Sequence, residues 1–180
     1  MSIIERLSEG GAKTEEALAI FDSLEPVDVD FMIGEWKGEG FHTDHPMDGL
    51  LEAYHWHGKR FESQEDVHPL VFTTLGDGLA YVNPAFLGLS LGLMGRLRMP
   101  RSAAVGRLLQ VAMPLLTTSK SRARLRMTGY RGKTSATMIY DQLPINDVFR
   151  KIDENSVLGI TDLKGMKRPF FFILRRERGG

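Results

Sequence analysis

Hydrophobic and polar residues alternate along much of the chain, and this alternation predicts β-strands. In residues 34–40, glycines and Trp36 fall at every second position, and charged residues fill the positions between them. In a strand these two sets point to opposite faces, so one face is dry and the other is wet. Because glycine has no side chain, Trp36 has room to lie against the strand, and the strand can bend there. We predict the first strand of a curved antiparallel sheet.

The same period of two recurs in residues 121–130, where arginines alternate with Ala123, Leu125 and Met127. A turn is expected at Gly58-Lys59. Consecutive strands joined by short turns form an antiparallel meander, and closing such a sheet removes its exposed edges. We therefore predict a mainly β protein with a closed antiparallel β-barrel. Its further strands are expected at 50–57, 60–64, 67–74, 79–83, 134–140, 147–152, 157–162 and 170–176.

A helical period precedes the strands. Residues 15–24 place Ala17, Ile20 and Phe21 on one face, and Pro26 follows the helix. A shorter helix is predicted before residue 9. We assign residues 1–26 to N-terminal helices that pack on the barrel, the longer one plugging an end, and residues 27–180 to a single β-barrel domain.

Residues 84–116 form an apolar insert within that domain, and residues 85–95 carry no charge. Neither apolar run approaches the ~20 residues that a membrane span requires, so we expect no stable membrane insertion. Three alternatives remain. The insert is a pair of buried core elements, or a mobile lid or homodimer surface, or a segment that contacts a membrane surface with the help of its arginines.

The glycine-rich strand also carries a family resemblance. Its Gly-x-Trp-x-Gly-x-Gly pattern resembles the first strand of the calycins, which include lipocalins, fatty-acid-binding proteins and nitrobindins. Residues 27–60 and 134–175 resemble an uncharacterised microbial family named for its G-x-W-x-G motif. The resemblance implies a calycin-like barrel, with Arg175 or Arg176 stacked over Trp36 as in lipocalins.

Nitrobindins hold haem iron through a histidine near the C-terminus; no histidine follows His68 here, so we expect no haem or other cofactor.

Composition places the chain among ordinary soluble domains. It has 180 residues, of which 42% are hydrophobic and 26% charged, and the absence of cysteine excludes disulfides and thiolate chemistry. Its N-terminus has no long apolar run, so we expect a cytoplasmic protein.

The charge is unevenly distributed along the chain. Residues 1–90 carry a net charge of −12 and residues 91–180 a net charge of +12. A basic half suits a nucleic-acid binder. We instead expect the two halves to interleave in one sheet and to neutralise each other, with no nucleic-acid partner.

The chain lacks the glycine-rich phosphate-binding patterns and the Gly-x-Ser-x-Gly nucleophile motif. All five histidines fall between residues 42 and 68, and two imidazoles on one strand face, such as His55 and His57, can converge on an ion. Histidines in turns are more often solvated, so we predict no metal site.

These observations favour a binding protein. The predicted barrel encloses a cavity for an apolar or amphipathic small molecule of fatty-acid, polyketide or terpenoid type. The expected contact residues are mostly aromatic: Phe41, Tyr54, Trp56, Phe61, Phe72, Tyr140, Phe149, Arg150 and Phe172.

Two other functions stay open. A carboxylate in an apolar cavity has a raised pKa and suits a general acid or base. The alternative is therefore a small enzyme of secondary metabolism, an isomerase, cyclase or lyase, with His45, Asp48, His57 and Asp147 as the catalytic candidates. The third hypothesis is a protein-interaction module that uses residues 84–116.

Overall fold

A computed structural model of the protein describes residues 11–85 and 103–177. Within them the chain is mainly β. The helices are α1 (Thr14–Ser23), α2 (Val29–Met32), α3 (Leu50–Ala53) and α4 (Ala103–Leu116). The strands are β1 (Glu25–Pro26), β2 (Gly34–Gly40), β3 (Trp56–Phe61), β4 (Val67–Thr73), β5 (Leu79–Tyr81), β6 (Ala123–Tyr130), β7 (Lys133–Tyr140), β8 (Ile145–Asp153), β9 (Ser156–Leu163) and β10 (Phe170–Arg176). The helix predicted before residue 9 lies outside the described residues.

Eight of these strands form a closed ring of antiparallel pairings. The order is β8-β7-β6-β4-β3-β2-β10-β9, and β9 pairs back with β8 along nearly its whole length. Strand β1 adds to β8, and β5 adds to β4. Neighbours in the ring are consecutive in sequence except where β5 is bypassed and where the last strand, β10, pairs with β2 and closes the ring. The predicted antiparallel meander is therefore confirmed.

The ring has an apolar interior and one apolar outer face. In β10, Phe170, Phe172 and Leu174 join the interior cluster, while Phe171 and Ile173 join a second cluster on the other face. This division follows from the two-residue period of the strand.

Helix α1 covers the second cluster. Its residues Ala17, Ile20 and Phe21 are buried there against outward-facing side chains of β8, β9 and β10. The prediction that this helix plugs an end of the barrel is therefore wrong. These strands are apolar on both faces, so their outer face needs a cover, and the apolar stripe of α1 supplies it.

The predicted strand at 50–57 is also wrong in its first half. Asp48 accepts N–H bonds from Thr43 and His45, Gly49 is left-handed with φ 78°, and Leu50 then begins α3. The Tyr54 N–H donates to the Leu50 carbonyl, a helical bond. The alternation in the sequence matched a strand, but the Asp-Gly turn directs the chain into one helical turn, and β3 begins only at Trp56.

Trp36 is fully buried, and its indole N–H donates to the Met32 carbonyl at 2.7 Å. The Arg176 guanidinium lies 4.3 Å from the centre of its ring and donates to the Ile33 carbonyl. Arg175 instead bonds Glu39 on the solvent side. The stacking over Trp36 is thus confirmed for Arg176 and is a structural contact between β10 and β2.

Ion pairs connect the acidic and basic halves of the chain, which confirms that the halves interleave. The two partners come from different halves in Arg126–Glu65, Arg131–Asp22, Arg175–Glu39, His57–Glu177 and Lys59–Asp147.

Helix α4 is the described part of the apolar insert, and residues 86–102 lie outside the described residues. It packs closely on α3, because a Cβ on Gly106 would meet the Ala53 carbonyl oxygen at 2.1 Å. Met113 is buried in the interior cluster, whereas Leu108, Val111 and Leu115 are exposed. None of the helices in the described part of the chain has the length and apolar character that a membrane crossing requires.

Candidate functional site

A buried ion pair crosses the interior of the ring. The Lys59 Nζ atom lies 2.9 Å from Asp147 Oδ2, and the two side chains are 3% and 2% exposed. Lys59 is on β3 and Asp147 on β8, which are four strands apart in either direction around the ring. The pair therefore joins opposite walls.

Two hydroxyl groups complete this polar cluster. Thr161 Oγ1 donates to Asp147 Oδ1 at 2.7 Å, and the Tyr140 hydroxyl lies near enough to the same carboxylate for that group to raise the pKa of the tyrosine. Burial raises the pKa of Tyr140 well above its ordinary value, and the charge of Asp147 raises it further, so the hydroxyl stays protonated. We call Lys59, Tyr140, Asp147 and Thr161 the interior polar cluster.

Aromatic rings surround the ammonium. The Lys59 Nζ atom lies 5.1 Å from the ring centre of Phe172, 5.6 Å from that of Trp56 and 5.7 Å from that of Tyr140. These distances are within the range of cation–π attraction. Lys59 Nζ also donates to the Pro69 carbonyl at 3.1 Å. The charge is thus held by one carboxylate, one carbonyl and three ring faces.

Glycines in the walls make room for two of these rings. A Cβ on Gly38 would lie 1.9 Å from the Trp56 ring, and a Cβ on Gly159 would lie 2.4 Å from the Phe172 ring. Both rings therefore lie directly against the backbone of β2 and β9. Because these two rings lie against the walls, there is room between them for the Lys59–Asp147 ion pair.

A buried ion pair does not arise from stability alone. Desolvating both charges costs several kcal/mol for each ion, and apolar residues of similar volume often stabilise a protein equally well or better. Apolar and aromatic walls that carry a few placed polar groups are typical of small-molecule sites. The interior polar cluster is therefore the candidate functional site.

Trp56 adds a hydrogen-bond donor that is not used. Its Nε1 atom is buried and has no hydrogen-bond partner among the described residues. Leaving a buried N–H unsatisfied costs about 1–3 kcal/mol. The other tryptophan, Trp36, differs, because its indole N–H donates to the Met32 carbonyl. Trp56 therefore has an unused donor that the structural tryptophan does not have.

Most of the predicted ligand-contact residues do lie in the interior cluster: Tyr54, Trp56, Phe61, Phe72, Tyr140, Phe149 and Phe172. Two do not. Phe41 packs edge-on against Phe171 in the outer cluster, with ring centres 6.3 Å apart. Arg150 is fully buried beneath α1, 5.0 Å from the ring centre of Phe21, and donates to the Tyr130 carbonyl. Both predictions are wrong in position, because Arg150 lies on the outward face of β8 and Phe41 follows the end of β2 and packs in the outer cluster.

Two of the predicted catalytic residues, His45 and Asp48, come together in the loop before α3, where they have structural bonds. His45 Nδ1 accepts from the Met47 N–H, so in the neutral ring Nε2 carries the proton and donates to the Arg168 carbonyl at 3.1 Å. Burial lowers the pKa of His45, which keeps the ring neutral. Asp48 Oδ2 holds the turn through backbone N–H groups, whereas its Oδ1 atom is buried without a partner in the described part of the chain.

His57 lies elsewhere, paired with Glu177 at 3.0 Å. It lines a shallow pocket of about 210 Å³, part of it open to solvent, together with Glu35, Lys59, Arg60, Val71, Leu79, Tyr81 and Glu177. Asp147 alone of the four candidates belongs to the interior polar cluster. The four predicted catalytic residues therefore do not form one site.

Lys59 and Thr161 were missed by the sequence analysis. Lys59 was expected in a turn after Gly58, but β3 continues through Gly58 with shifts of register on either side. The shift carries the lysine side chain inward. Thr161 lies opposite Asp147 on β9, a relation that only the pairing of β8 with β9 creates.

The sequence allowed His55 and His57 as possible ligands of one metal ion, on the assumption that they share a strand face. His55 has φ 58° in the turn after α3, so it does not share a strand face with His57. No group of three histidine, aspartate or glutamate side chains with metal-binding geometry occurs within residues 11–85 and 103–177.

Comparisons with known proteins agree with this fold. Residues 19–76 match the family model described as GXWXG protein, and residues 121–176 match the model described as Domain of unknown function (DUF4334). The first match contains Lys59, and the second contains Tyr140, Asp147 and Thr161, so the interior polar cluster joins the two matched regions.

A solved structure gives a likeness over nearly the whole chain. It is described as the crystal structure of a protein from Thermomonospora curvata; it is 29% identical with a TM-score of 0.71, and the match covers 97% of this chain and 95% of that one. No curated protein matches the chain. The findings support the predicted resemblance to a GXWXG-type family, and neither family description gives an activity.

Proposed function

We propose that the protein binds an apolar or amphipathic small molecule, of fatty-acid, polyketide or terpenoid type, inside a calycin-like barrel formed by the ring of strands. The observation that carries this proposal is the Lys59–Asp147 pair, which is buried across an otherwise aromatic interior. Small-molecule sites combine apolar walls with a few placed polar groups, and this interior has that composition.

The route for a guest is one end of the ring. The loops after β2, β7 and β9 lie at the same end, because each of these strands finishes where its antiparallel neighbour starts. Half-buried apolar side chains line this end and pack on the interior cluster: Met47, Leu51, Leu143, Leu163 and Met166. Exposed or half-exposed apolar groups next to a buried core favour contact with an apolar partner.

Binding would require side chains to move. The pocket beside His57 encloses a cavity of only about 10 Å³, far below the ~300–1,000 Å³ typical of small-molecule sites. The interior is occupied by aromatic rings and crossed by the ion pair. A guest would therefore displace aromatic rings such as Phe172 from their present positions or separate Lys59 from Asp147.

The first experiment extracts purified protein with organic solvent and identifies released molecules by mass spectrometry. The same protein is then titrated with 2-ethylnaphthalene and with cis-parinaric acid. We expect a retained molecule, or saturable binding of at least one probe. If nothing is released and neither probe binds, the proposal fails.

A variant pair connects the binding to the interior. Gly159→Ala places a methyl group against the Phe172 ring and forces that ring inward, so probe affinity should fall at least tenfold. Gly129→Ala is the matched control, because a Cβ at Gly129 meets nothing within 4 Å. Equal probe affinity in both variants would place the binding outside the ring.

The alternative, an enzyme that performs acid–base chemistry, is favoured by one observation. Lys59 and Tyr140 both contact the Asp147 carboxylate within hydrogen-bonding reach, so titratable groups converge. In this proposal Asp147 accepts a proton from carbon next to a carbonyl, and Lys59 or Tyr140 stabilises the enolate oxygen.

The enzyme proposal predicts that the methyl protons of 2-acetonaphthone exchange with deuterium in D₂O. Mass spectrometry of the recovered ketone measures this exchange. Wild-type protein should accelerate the exchange above the buffer rate, and Asp147→Asn should remove the acceleration. Exchange that is equally fast with Asp147→Asn, or no faster than in buffer, contradicts it.

A further inference from the structure

We infer that the guest of the interior site is a neutral carbonyl compound, whose oxygen accepts hydrogen bonds from the Trp56 indole N–H and from the Lys59 ammonium. This inference rests on the proposed function and deepens it. It follows from the donors and acceptors that the interior leaves unused.

The Trp56 indole presents its donor away from the β2 wall. Its Cε3, Cζ3 and Cη2 atoms are the ones that a Cβ on Gly38 would meet, so the benzene edge lies against β2. Nε1 is on the opposite edge of the indole. Because Nε1 is buried and has no partner in the described part of the chain, it is a donor prepared for an acceptor.

Lys59 supplies a second donor close by. An ammonium group has three N–H donors. Within the described residues, Asp147 Oδ2 and the Pro69 carbonyl accept two of them. The third remains for an acceptor, and Nζ lies 5.6 Å from the centre of the Trp56 ring.

The acceptors of the cluster are already occupied. Asp147 Oδ1 accepts from Thr161, and Oδ2 is ion-paired with the Lys59 ammonium at 2.9 Å. The Tyr140 hydroxyl also lies near this carboxylate, which raises the pKa of the tyrosine. A guest that donates hydrogen bonds would compete with these contacts. A guest that accepts them would meet free donors.

The charge balance favours a neutral guest over a carboxylate. Asp147 already neutralises the Lys59 ammonium, so a guest carboxylate would place a second negative charge beside Asp147 in a low-dielectric interior. Like charges at such distances are strongly disfavoured. A ketone, aldehyde or ester oxygen accepts the same hydrogen bonds without that repulsion.

Three probes of matched shape test the inference. These are 2-acetonaphthone, 2-naphthoate and 2-ethylnaphthalene, titrated at pH 7.5 against wild-type protein. We expect the ketone to bind about three- to tenfold more tightly than the hydrocarbon, the gain of one net hydrogen bond, and the carboxylate to bind most weakly.

The indole N–H protons report the contact directly. The chain has two tryptophans, so an ¹⁵N-labelled sample gives two indole signals. The ketone should move the Trp56 signal downfield, the hydrocarbon should not, and the Trp36 signal, whose proton is bonded to Met32, is the internal reference. This readout uses the wild-type protein and needs no folded variant.

A variant pair completes the test. Trp56→Phe should abolish the preference for the ketone over the hydrocarbon, and Trp36→Phe, which removes an indole N–H that is bonded to the Met32 carbonyl, should retain it. If ketone and hydrocarbon bind equally and neither moves the Trp56 signal, the inference is overturned while the proposed function stands. Tightest binding by 2-naphthoate also overturns the inference. If none of the three probes binds, the inference is overturned, and the proposed function fails as well when cis-parinaric acid does not bind and no molecule is released on extraction.

Discussion

At the residue scale, Lys59 and Asp147 are the side chains whose replacement has the clearest expected cost. Lys59→Met leaves a buried carboxylate without its counter-charge, which should lower the free energy of unfolding by roughly 3–5 kcal/mol. Adding Asp147→Asn removes the uncompensated charge, and the amide can still bond Thr161 and Tyr140. The double variant should therefore be more stable than Lys59→Met alone, as measured by urea unfolding at pH 7.5. A double variant less stable than Lys59→Met would contradict the pairing.

His45 gives the pH dependence at this scale. Burial lowers its pKa below the ordinary 6.5, so the unfolded chain binds a proton that the folded chain does not. Stability is therefore fully present above pH 6.5 and is lost as the pH falls from there toward the folded pKa.

The measurement compares unfolding free energies at pH 7.5 and pH 5.5 in wild-type protein and in His45→Gln. The loss on acidification should be smaller in the variant. His68, whose pKa is also lowered by burial, is present in both proteins, so the difference isolates His45. An identical loss in both proteins would show that His45 titrates normally in the folded state.

At the scale of the element, the glycine-rich strand β2 tests how the interior is packed. Gly38→Ala would push a methyl group into the Trp56 ring, and overpacking of this kind costs about 1–3 kcal/mol. Gly129→Ala in β6 is the control, because that position is open, and it should change stability by less than about 0.5 kcal/mol. Thermal unfolding of the two variants measures the difference; equal melting temperatures would show that the Trp56 ring does not lie on Gly38.

The same scale shows why some elements were predictable. Strand β10 was predicted with its observed bounds, because residues 170–174 are a short continuous apolar run, which is typical of a strand buried on both faces. Residues 50–53 were predicted as a strand because their polarity also alternates, and the turn chemistry of Asp48 and Gly49 overrode that pattern. Periodicity identifies an element where nothing local competes with it.

At the scale of the whole molecule, the interleaved halves determine what charged partners the protein can meet. Arg126, Arg131 and Arg175 from the basic half are each paired with an acid from the other half. Surface pairs of this kind add little stability, about 0–1 kcal/mol each, but they remove the uniform basic face that a phosphate backbone requires.

We therefore expect no measurable binding of a fluorescein-labelled 20-nucleotide RNA at 150 mM salt, by fluorescence anisotropy up to micromolar protein. The triple variant Glu65→Gln, Asp22→Asn, Glu39→Gln exposes the arginines without a counter-charge and should bind more tightly as salt is lowered. Tight binding by wild-type protein with a steep salt dependence would contradict this expectation.

The resemblance to lipocalins suggested Arg175 or Arg176 as the partner of Trp36, and the structure selects Arg176. The sequence by itself determined the mainly β architecture, the order of the strands and the burial of Trp36. Each of these depends on residues a few positions apart, or on a two-residue period that physics imposes on any strand. It also supplied most of the aromatic residues of the interior.

Only the tertiary structure decided which polar residues meet. Lys59 and Asp147 are 88 positions apart in the sequence, and they face each other only because β10 closes on β2 and a shift of register in β3 turns the lysine inward. The same closure placed Phe41 and Arg150 outside the ring. Ring closure and register depend on contacts among all the strands together, and no local pattern of residues contains that information.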